Sequence, residues 1–291
     1  MLPGADPPVG TVYVTGDISG HAGVFEQLIC SIGGDPDRGY MPPGQVLVHT
    51  GDLVHKGPDS AACVQVARRM MQGSPGQFYT LWGNHCASYV QGAPSVQGRQ
   101  LVIPVDEDTA RQLRNWWYGR HLPMALAVSS PQGPVLITHA GLTVGFWRQL
   151  GSPDAVGAAQ ALNAMVGTDV RRALRPGCLT GGPPRLDAGP CWAETGQELL
   201  QPWMDHVAAG GHLPFSQVHG HASVVQSWDS CRLWPHIPPR VAASVVLDPG
   251  HRRYTLNLDG YSFTGVDWMM GAYPPDPLSP LLALPDADVL A

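Results

Sequence analysis

The chain has 291 residues, of which 44% are hydrophobic and 14% charged, with 35 glycines and 29 prolines. Such a content supports a substantial core with many turns, and suits an α/β or β-rich fold better than a helical bundle. A net charge of −6 without any run of Lys or Arg argues against nucleic acid as a partner, while a nucleotide or other small phosphorylated molecule stays open.

The six cysteines are far apart and form no CxxC pair, so neither a disulfide scaffold nor a cysteine zinc site is expected. No apolar run approaches the ~20 residues that span a bilayer, and the first residues carry no leader pattern. The expectation is a soluble, cytoplasmic protein with no membrane partner. Lys56 is the single lysine among 17 basic residues.

The predicted elements begin with a strand at Thr11–Thr15 that ends on Gly16-Asp17. Val24, Phe25, Leu28, Ile29 and Ile32 then recur at helical spacing, and Gly33-Gly34-Asp35-Pro36 stops that helix. A second strand, Val46–Thr50, runs into Gly51-Asp52. A helix over Asp59–Met71 follows, and a third strand, Gln77–Leu81, runs into Gly83-Asn84-His85. Strand, Gly-polar turn and helix in repetition predict right-handed βαβ units, whose functional residues lie past the C-terminal strand ends.

Next come a helix near Thr109–Tyr118, a strand Val135–Thr138 ending at His139-Ala140-Gly141, and a helix with Ser152 as N-cap and Pro153 at its first position. Residues 175–215 read as a long, partly structured loop region, after which the strand Ser216–His219 reaches Gly220-His221. Val241–Asp248, Arg252–Leu258 and Ser262–Val266 read as strands joined by turns at Pro249-Gly250 and Asp259-Gly260, able to build a second sheet. The expected organisation is one domain over residues 1–270 and a weakly ordered, Pro-rich tail over 271–291.

Five strand ends thus deliver Asp17, Asp52, Asn84-His85, His139 and His221, each beside or near a glycine that lets backbone approach a ligand. Singly, an Asp after a strand is a turn former and a lone His is a satisfied core or surface residue. Five hydrophobic strands that all end in metal-ligand residue types are hard to produce by turn chemistry alone.

The stretches GDISGH (16–21), GDLVHKGPDS (51–60), GNHC (83–86), THAGL (138–142) and HGH (219–221) give this pattern an order and spacing. It resembles the calcineurin-like metallophosphoesterases, in the branch of phosphoprotein phosphatases and symmetrical diadenosine tetraphosphatases, whose pattern is GDxHG, GDxxDRGPxS, GNHE, HAG and GH. The likeness covers about residues 11–260. It implies an α/β, four-layer αββα sandwich of two mixed β-sheets flanked by helices. It also implies hydrolysis of a phosphate ester or anhydride by metal-activated water, on a small phosphorylated molecule or nucleotide, and names no protein partner.

Carried over by position, the resemblance makes Asp52 the carboxylate bridging two metals, with Asn84, His139 and His221 completing the second metal site and Asp17 in the first. It makes His85 the group that protonates the leaving oxygen, with His55 beside it, and puts Lys56, Asn84 and Glu194 against substrate. Carboxylate, amide and imidazole donors suit Mn2+, Fe or Zn.

Several motif positions depart from the family. Ser19 replaces a histidine ligand, and Ser223 stands where a longer GHxH form has its second histidine. The expected picture is one firmly bound divalent metal and a labile second ion at the Asp17 site. His55 replaces the aspartate that orients the catalytic histidine, Lys56 keeps the charge of an arginine but not its bidentate fork, and Glu194 reverses the charge of a phosphate-gripping arginine. A rival reading is a degenerate relative that binds a phosphorylated ligand or protein without turnover. A cysteine phosphatase built on Cys63 and Arg69 is a weaker rival, because the residues between them read as a helix face.

Overall fold

The computed structural model describes residues 10–96, 102–221, 242–248, 253–266 and 281–291. Three strands at the front of the chain, β1 (Thr11–Thr15), β2 (Gln45–His49) and β3 (Phe78–Thr80), pair in parallel. Helices α1 (Ala22–Ser31) and α2 (Ser60–Gly73) connect them. Val12, Val14 and Val48 cluster with side chains of a second sheet, whereas Leu47 joins Phe25, Leu28 and Ile29 of α1 in the larger core. Burying each such side chain is worth ~1.5–3 kcal/mol, so hydrophobicity on both strand faces demands a sheet covered on both sides. The cap of α2 is Asp59, whose carboxylate accepts the Ala62 N–H at 2.8 Å.

The second sheet contains β4 (Ala125–Ser129), β5 (Val135–Thr138), β6 (Ser216–His219), β7 (Ala243–Asp248), β8 (Arg253–Leu258), β9 (Tyr261–Gly265) and β11 (Asp288–Val289), in the order β11-β4-β5-β6-β9-β8-β7. β5, β6 and β9 run parallel and the other pairs antiparallel. Leu126, Val128, Val135, Ile137 and Val218 meet Val12, Val14 and Val48 between the sheets. On the outer side, α6 (Ala155–Met165) covers β4, and Asn163 fixes the contact by accepting the Met124 and Ala125 N–H groups at 2.7 and 3.0 Å. The expected two mixed sheets flanked by helices are therefore present. No helix among the described residues is long and apolar enough to cross a membrane.

The structure corrects two expectations and adds elements that were not foreseen. The end of the chain is no loose tail: β10 (Leu282–Pro285) pairs antiparallel with β1, and β11 pairs with β4, so residues 282–289 bind one edge of each sheet. Residues 271–280 lie outside the described set, as do the turn at Pro249-Gly250 and Ser223. Asp154, not Ser152, caps α6, accepting the Gly157 N–H at 2.8 Å, and Pro153 is drawn out of the helix by a 2.8 Å bond from the Trp147 indole to its carbonyl. The stretch 175–215 contains a π-helix over Thr195–Leu200 and α8 (Gln201–Ala208). β4 and the short α5 (Val144–Gln149) were not predicted at all.

Candidate metal centre

Asp17 follows β1, Asp52 follows β2, Asn84 follows β3 at the start of α3 (Asn84–Ala87), His139 follows β5 and His221 follows β6. Facing strand ends of two packed sheets bring residues from across the chain to one spot. The backbone there is unusual. Ser19, Asp52, His55, Lys56 and His221 have φ of 50°, 61°, 75°, 57° and 68°. Left-handed conformations cost a non-glycine residue ~1–3 kcal/mol and persist only where the surroundings impose them. Here the loops after β1 and β2 are stitched together: Ser19 N–H donates to Asp52 O at 2.6 Å, Gly20 N–H to Leu53 O at 2.9 Å, and Gly57 N–H to Ser19 O at 2.6 Å.

Asp52, His139 and His221 each offer a ligand atom, and the three atoms lie within 4.8 Å of one another. His139 is the hub. Its Nδ1–H donates to the Thr50 carbonyl at 3.0 Å, which turns Nε2 toward Asn84 Oδ1 at 3.0 Å, His221 Nδ1 at 3.1 Å and Asp52 Oδ2 at 3.3 Å. The other Asp52 oxygen accepts the His85 N–H at 2.8 Å. Gly83 is required by this approach, since a Cβ on it would stand 2.0 Å from Asp52 Oδ1.

The donor set fits a divalent cation. His221 Nε2 is buried without a hydrogen-bond partner among the described residues, and Asp52 Oδ2 has only the His139 ring opposite it, at 3.3 Å. A buried polar atom left without a partner is costly unless an ion or water satisfies it. Burial alone would lower His139, but the Asp52 and Asp17 carboxylates outweigh it and push it up to about 9. Burial would raise Asp52, yet the His139 and His85 imidazoles hold its carboxyl well below the usual range. In the metal-free protein, protonated His139 supplies the positive charge that a bound cation would supply in its place. The orienting bond to Thr50 is the kind that fixes the tautomer of a ligand histidine.

Asp17 lies at the other side of His139, 3.7 Å from Nδ1, and its Oδ1 accepts the His221 N–H at 3.2 Å. Ser19 Oγ is wholly buried, with no hydrogen bond among the described residues. Asp17 thus lies against His139 and the His221 backbone, outside the group formed by Asp52, His139 and His221.

His85 and His55 are brought together, Nδ1 to Nδ1 at 2.8 Å, and His55 Nε2 contacts the Tyr89 hydroxyl at 2.5 Å. Burial pushes His85 down to about 3 and His55 to about 4, the Asp52 carboxylate opposing both shifts and Lys56 adding to them. Both rings are neutral at neutral pH, so His85 offers a neutral N–H rather than an imidazolium. Lys56 lies beside them, and its charge adds to the burial that lowers His21.

The carboxylate of Glu194 caps its own helix, Oε2 accepting the Gln197 N–H at 2.6 Å, while its backbone N–H donates to Glu198 Oε2 at 2.8 Å. That corrects its assignment to substrate: the group is spent on a helix N-terminus. Cys63 is buried in α2 with its thiol pushed up by burial, and Arg69 donates to the Pro36 carbonyl, so no cysteine phosphatase loop exists there. Trp116 and Trp117 pack in the core.

Two residues were missed. Tyr89 enters the cluster through His55, 34 residues earlier in the chain, rather than through a neighbour in sequence. His49 accepts the Ile18 N–H on Nε2 at 3.3 Å and donates from Nδ1 to Thr80 Oγ1 at 2.8 Å, tying the ends of all three parallel strands together.

Two mixed sheets with this polar cluster at their facing strand ends define a metallophosphoesterase type of fold. Residues 10–214 match the family model for the calcineurin-like phosphoesterases, and the chain belongs to that family. It is similar to the symmetrical bis(5'-nucleosyl)-tetraphosphatase of Acidovorax sp. (strain JS42), 35% identical over 140 residues, which are 45% of this chain and 44% of that one. A second enzyme of that name, from Acidovorax ebreus (strain TPSY), is 33% identical over 138 residues, again 45% and 44%. The match thus spans less than half the length of these curated relatives. Among solved structures, the cold-active protein-tyrosine phosphatase of a psychrophile, Shewanella SP., overlays with a TM-score of 0.48 at 17% identity, covering 91% of this chain and 82% of that one. A metallophosphoesterase from Sphaerobacter thermophilus gives 0.39 at 11% identity, with 89% and 76% covered.

Proposed function

We propose that the chain is a metal-dependent hydrolase that cleaves a phosphate ester or anhydride of a small phosphorylated molecule or nucleotide. The observation that carries this reading is the convergence of Asp52, His139 and His221, with Asn84 Oδ1 3.0 Å from the His139 nitrogen. Asp52, Asn84, His139 and His221 would hold one divalent ion, manganese by preference, with iron or zinc suiting the same donors. Asp17 and Asp52 would hold a second, more labile ion, because Ser19 supplies a hydroxyl in place of an imidazole. Such ions grip phosphate oxygens, acidify water and screen charge during in-line displacement. Lys56 and Asn84 would bind the phosphate, and His85 would donate its N–H to the leaving oxygen. The names of the two Acidovorax relatives support a nucleotide anhydride as the first substrate to try. The free thiols of Cys63, Cys86 and Cys191 support a cytoplasmic setting.

The test is turnover by the purified full chain, stripped of metal and reloaded with Mn2+. The substrates are an aryl phosphate monoester, an aryl diester and a dinucleoside tetraphosphate. Turnover is expected on at least one, and it should vanish in both Asp52→Asn and His139→Ala. Ser19 favours a second reading, a phospho-ligand or partner-binding protein without catalysis. Stoichiometric metal with no turnover on any of the three substrates would sink the first reading and leave the second.

A further inference from the structure

We propose that Tyr89 is a positioning residue that acts through His55 to fix the tautomer of His85, so that His85 presents its Nε2–H to the leaving-group oxygen. The catalytic consequence rests on the role given to His85 above. The hydrogen-bond order does not.

The order follows from one obligate donor. The backbone N–H of Val105 donates to the Tyr89 oxygen at 3.1 Å. The phenol carries a single hydrogen, and among the described residues its remaining partner is His55 Nε2, 2.5 Å away. Donating there uses the hydrogen and makes Nε2 of His55 the acceptor. A neutral His55 then carries its hydrogen on Nδ1, which faces His85 Nδ1 at 2.8 Å. His85 Nδ1 must therefore accept, and its hydrogen resides on Nε2, which has no protein partner among the described residues. The reverse order would leave the phenol hydrogen without an acceptor in a half-buried place. The rings meet at their edges rather than face to face, with interplanar angles of 59° for His55–His85 and 55° for His55–Tyr89. The left-handed backbone of His55 is held by its N–H donating to Ser60 Oγ at 2.9 Å, so its ring has a fixed aim. A neutral phenol and imidazole in series do by hydrogen-bond direction what a single carboxylate would do by charge.

The experiment compares two monoesters of different leaving group, phenyl phosphate and p-nitrophenyl phosphate, on the Mn2+-loaded full chain. A donor to the leaving oxygen matters most where that oxygen leaves poorly. Tyr89→Phe is expected to lower kcat on phenyl phosphate by ~10-fold or more and on p-nitrophenyl phosphate by less than ~3-fold, with KM unchanged. His85→Ala should show the same selectivity with a larger loss, and the double variant should be no worse than His85→Ala alone. Equal losses of Tyr89→Phe on both esters, or none on phenyl phosphate while His85→Ala is selective, would overturn the proposal. A His85→Ala variant without selectivity would instead defeat the role given to His85. In that case, or if the protein hydrolyses neither ester, 15N NMR of the histidine rings in the metal-free chain decides. His85 is expected with hydrogen on Nε2 and His55 with hydrogen on Nδ1, and both assignments should blur into a mixture in Tyr89→Phe. A His85 ring with hydrogen on Nδ1 would end the idea.

Discussion

The backbone N–H of His221 donates to Oδ1 of Asp17 at 3.2 Å, across 204 residues of chain. The loop after β6 of one sheet is thereby tied to the loop after β1 of the other, at the point where the candidate ligands meet. Gly220 makes the approach possible. A Cβ there would stand 2.4 Å from Thr50 Oγ1 and 2.8 Å from Asp17 Oδ1. Gly220→Ala must push these apart, so it should weaken Mn2+ binding and cost ~1–3 kcal/mol of stability as overpacking does. Calorimetric titration with Mn2+ and thermal unfolding check both halves, and an unchanged metal affinity would contradict the geometry.

Asp52→Asn separates charge from shape. The amide oxygen still accepts the His85 N–H now made at 2.8 Å, so the fold should survive. What disappears is the negative charge opposite His139, 3.3 Å from its Nε2. Metal affinity should fall by more than the ~10–100-fold typical of losing an outer hydrogen-bond partner, because a ligand itself is lost. Metal content after dialysis, read beside the circular dichroism spectrum, distinguishes this from simple unfolding.

Ser19→His should firm up the second ion proposed above for the Asp17 side of the site. The serine hydroxyl is buried with no hydrogen bond among the described residues, and its φ of 50° is one histidine adopts more readily than most side chains. The expected result is one additional equivalent of Mn2+ retained after gel filtration, with a rise in turnover. Retention unchanged from the parent would show that the hydroxyl is not what weakens that site.

The strand-end polar cluster was readable because its signals are local: a run of strand-forming residues, a glycine, then a polar side chain. β10 was not readable for the opposite reason. Leu282 and Leu284 have a strand's alternation but too little length to assert it, and their pairing comes from the edge of β1, where Thr11 faces Pro285. Ser152 and Asp154 are both good caps in isolation, and the choice between them was made by Trp147 holding the Pro153 carbonyl. Glu194 was misplaced by analogy, since a motif position can be inherited while the side chain serves a helix end. Tyr89 and His49 each depend on a partner more than 30 residues away, His55 and Ile18, which no local pattern announces.

His49 gives the last prediction, a dependence of stability on pH. Its ring is fully buried and accepts the Ile18 N–H on Nε2, so it must be neutral in the native state. Burial pushes it down to about 3, the Asp52 carboxylate only partly opposing this. In the unfolded chain it titrates near the ordinary histidine value of ~6.5. Above that pH neither state binds the proton and the group is silent. Below it the unfolded chain is protonated and the native state is not, so stability falls with decreasing pH at up to ~1.4 kcal/mol per unit until the native pKa is reached. His219, pushed down to about 4 by burial, adds a slope of the same sign. Urea unfolding of the metal-free chain between the two pKa values should therefore show midpoints that drop as acid is added. His49→Gln, which retains a side-chain acceptor and a donor but cannot titrate, should flatten that slope by close to one proton. A slope unaltered by this substitution would mean that His49 is already protonated in the folded protein, contrary to the bond it accepts from Ile18.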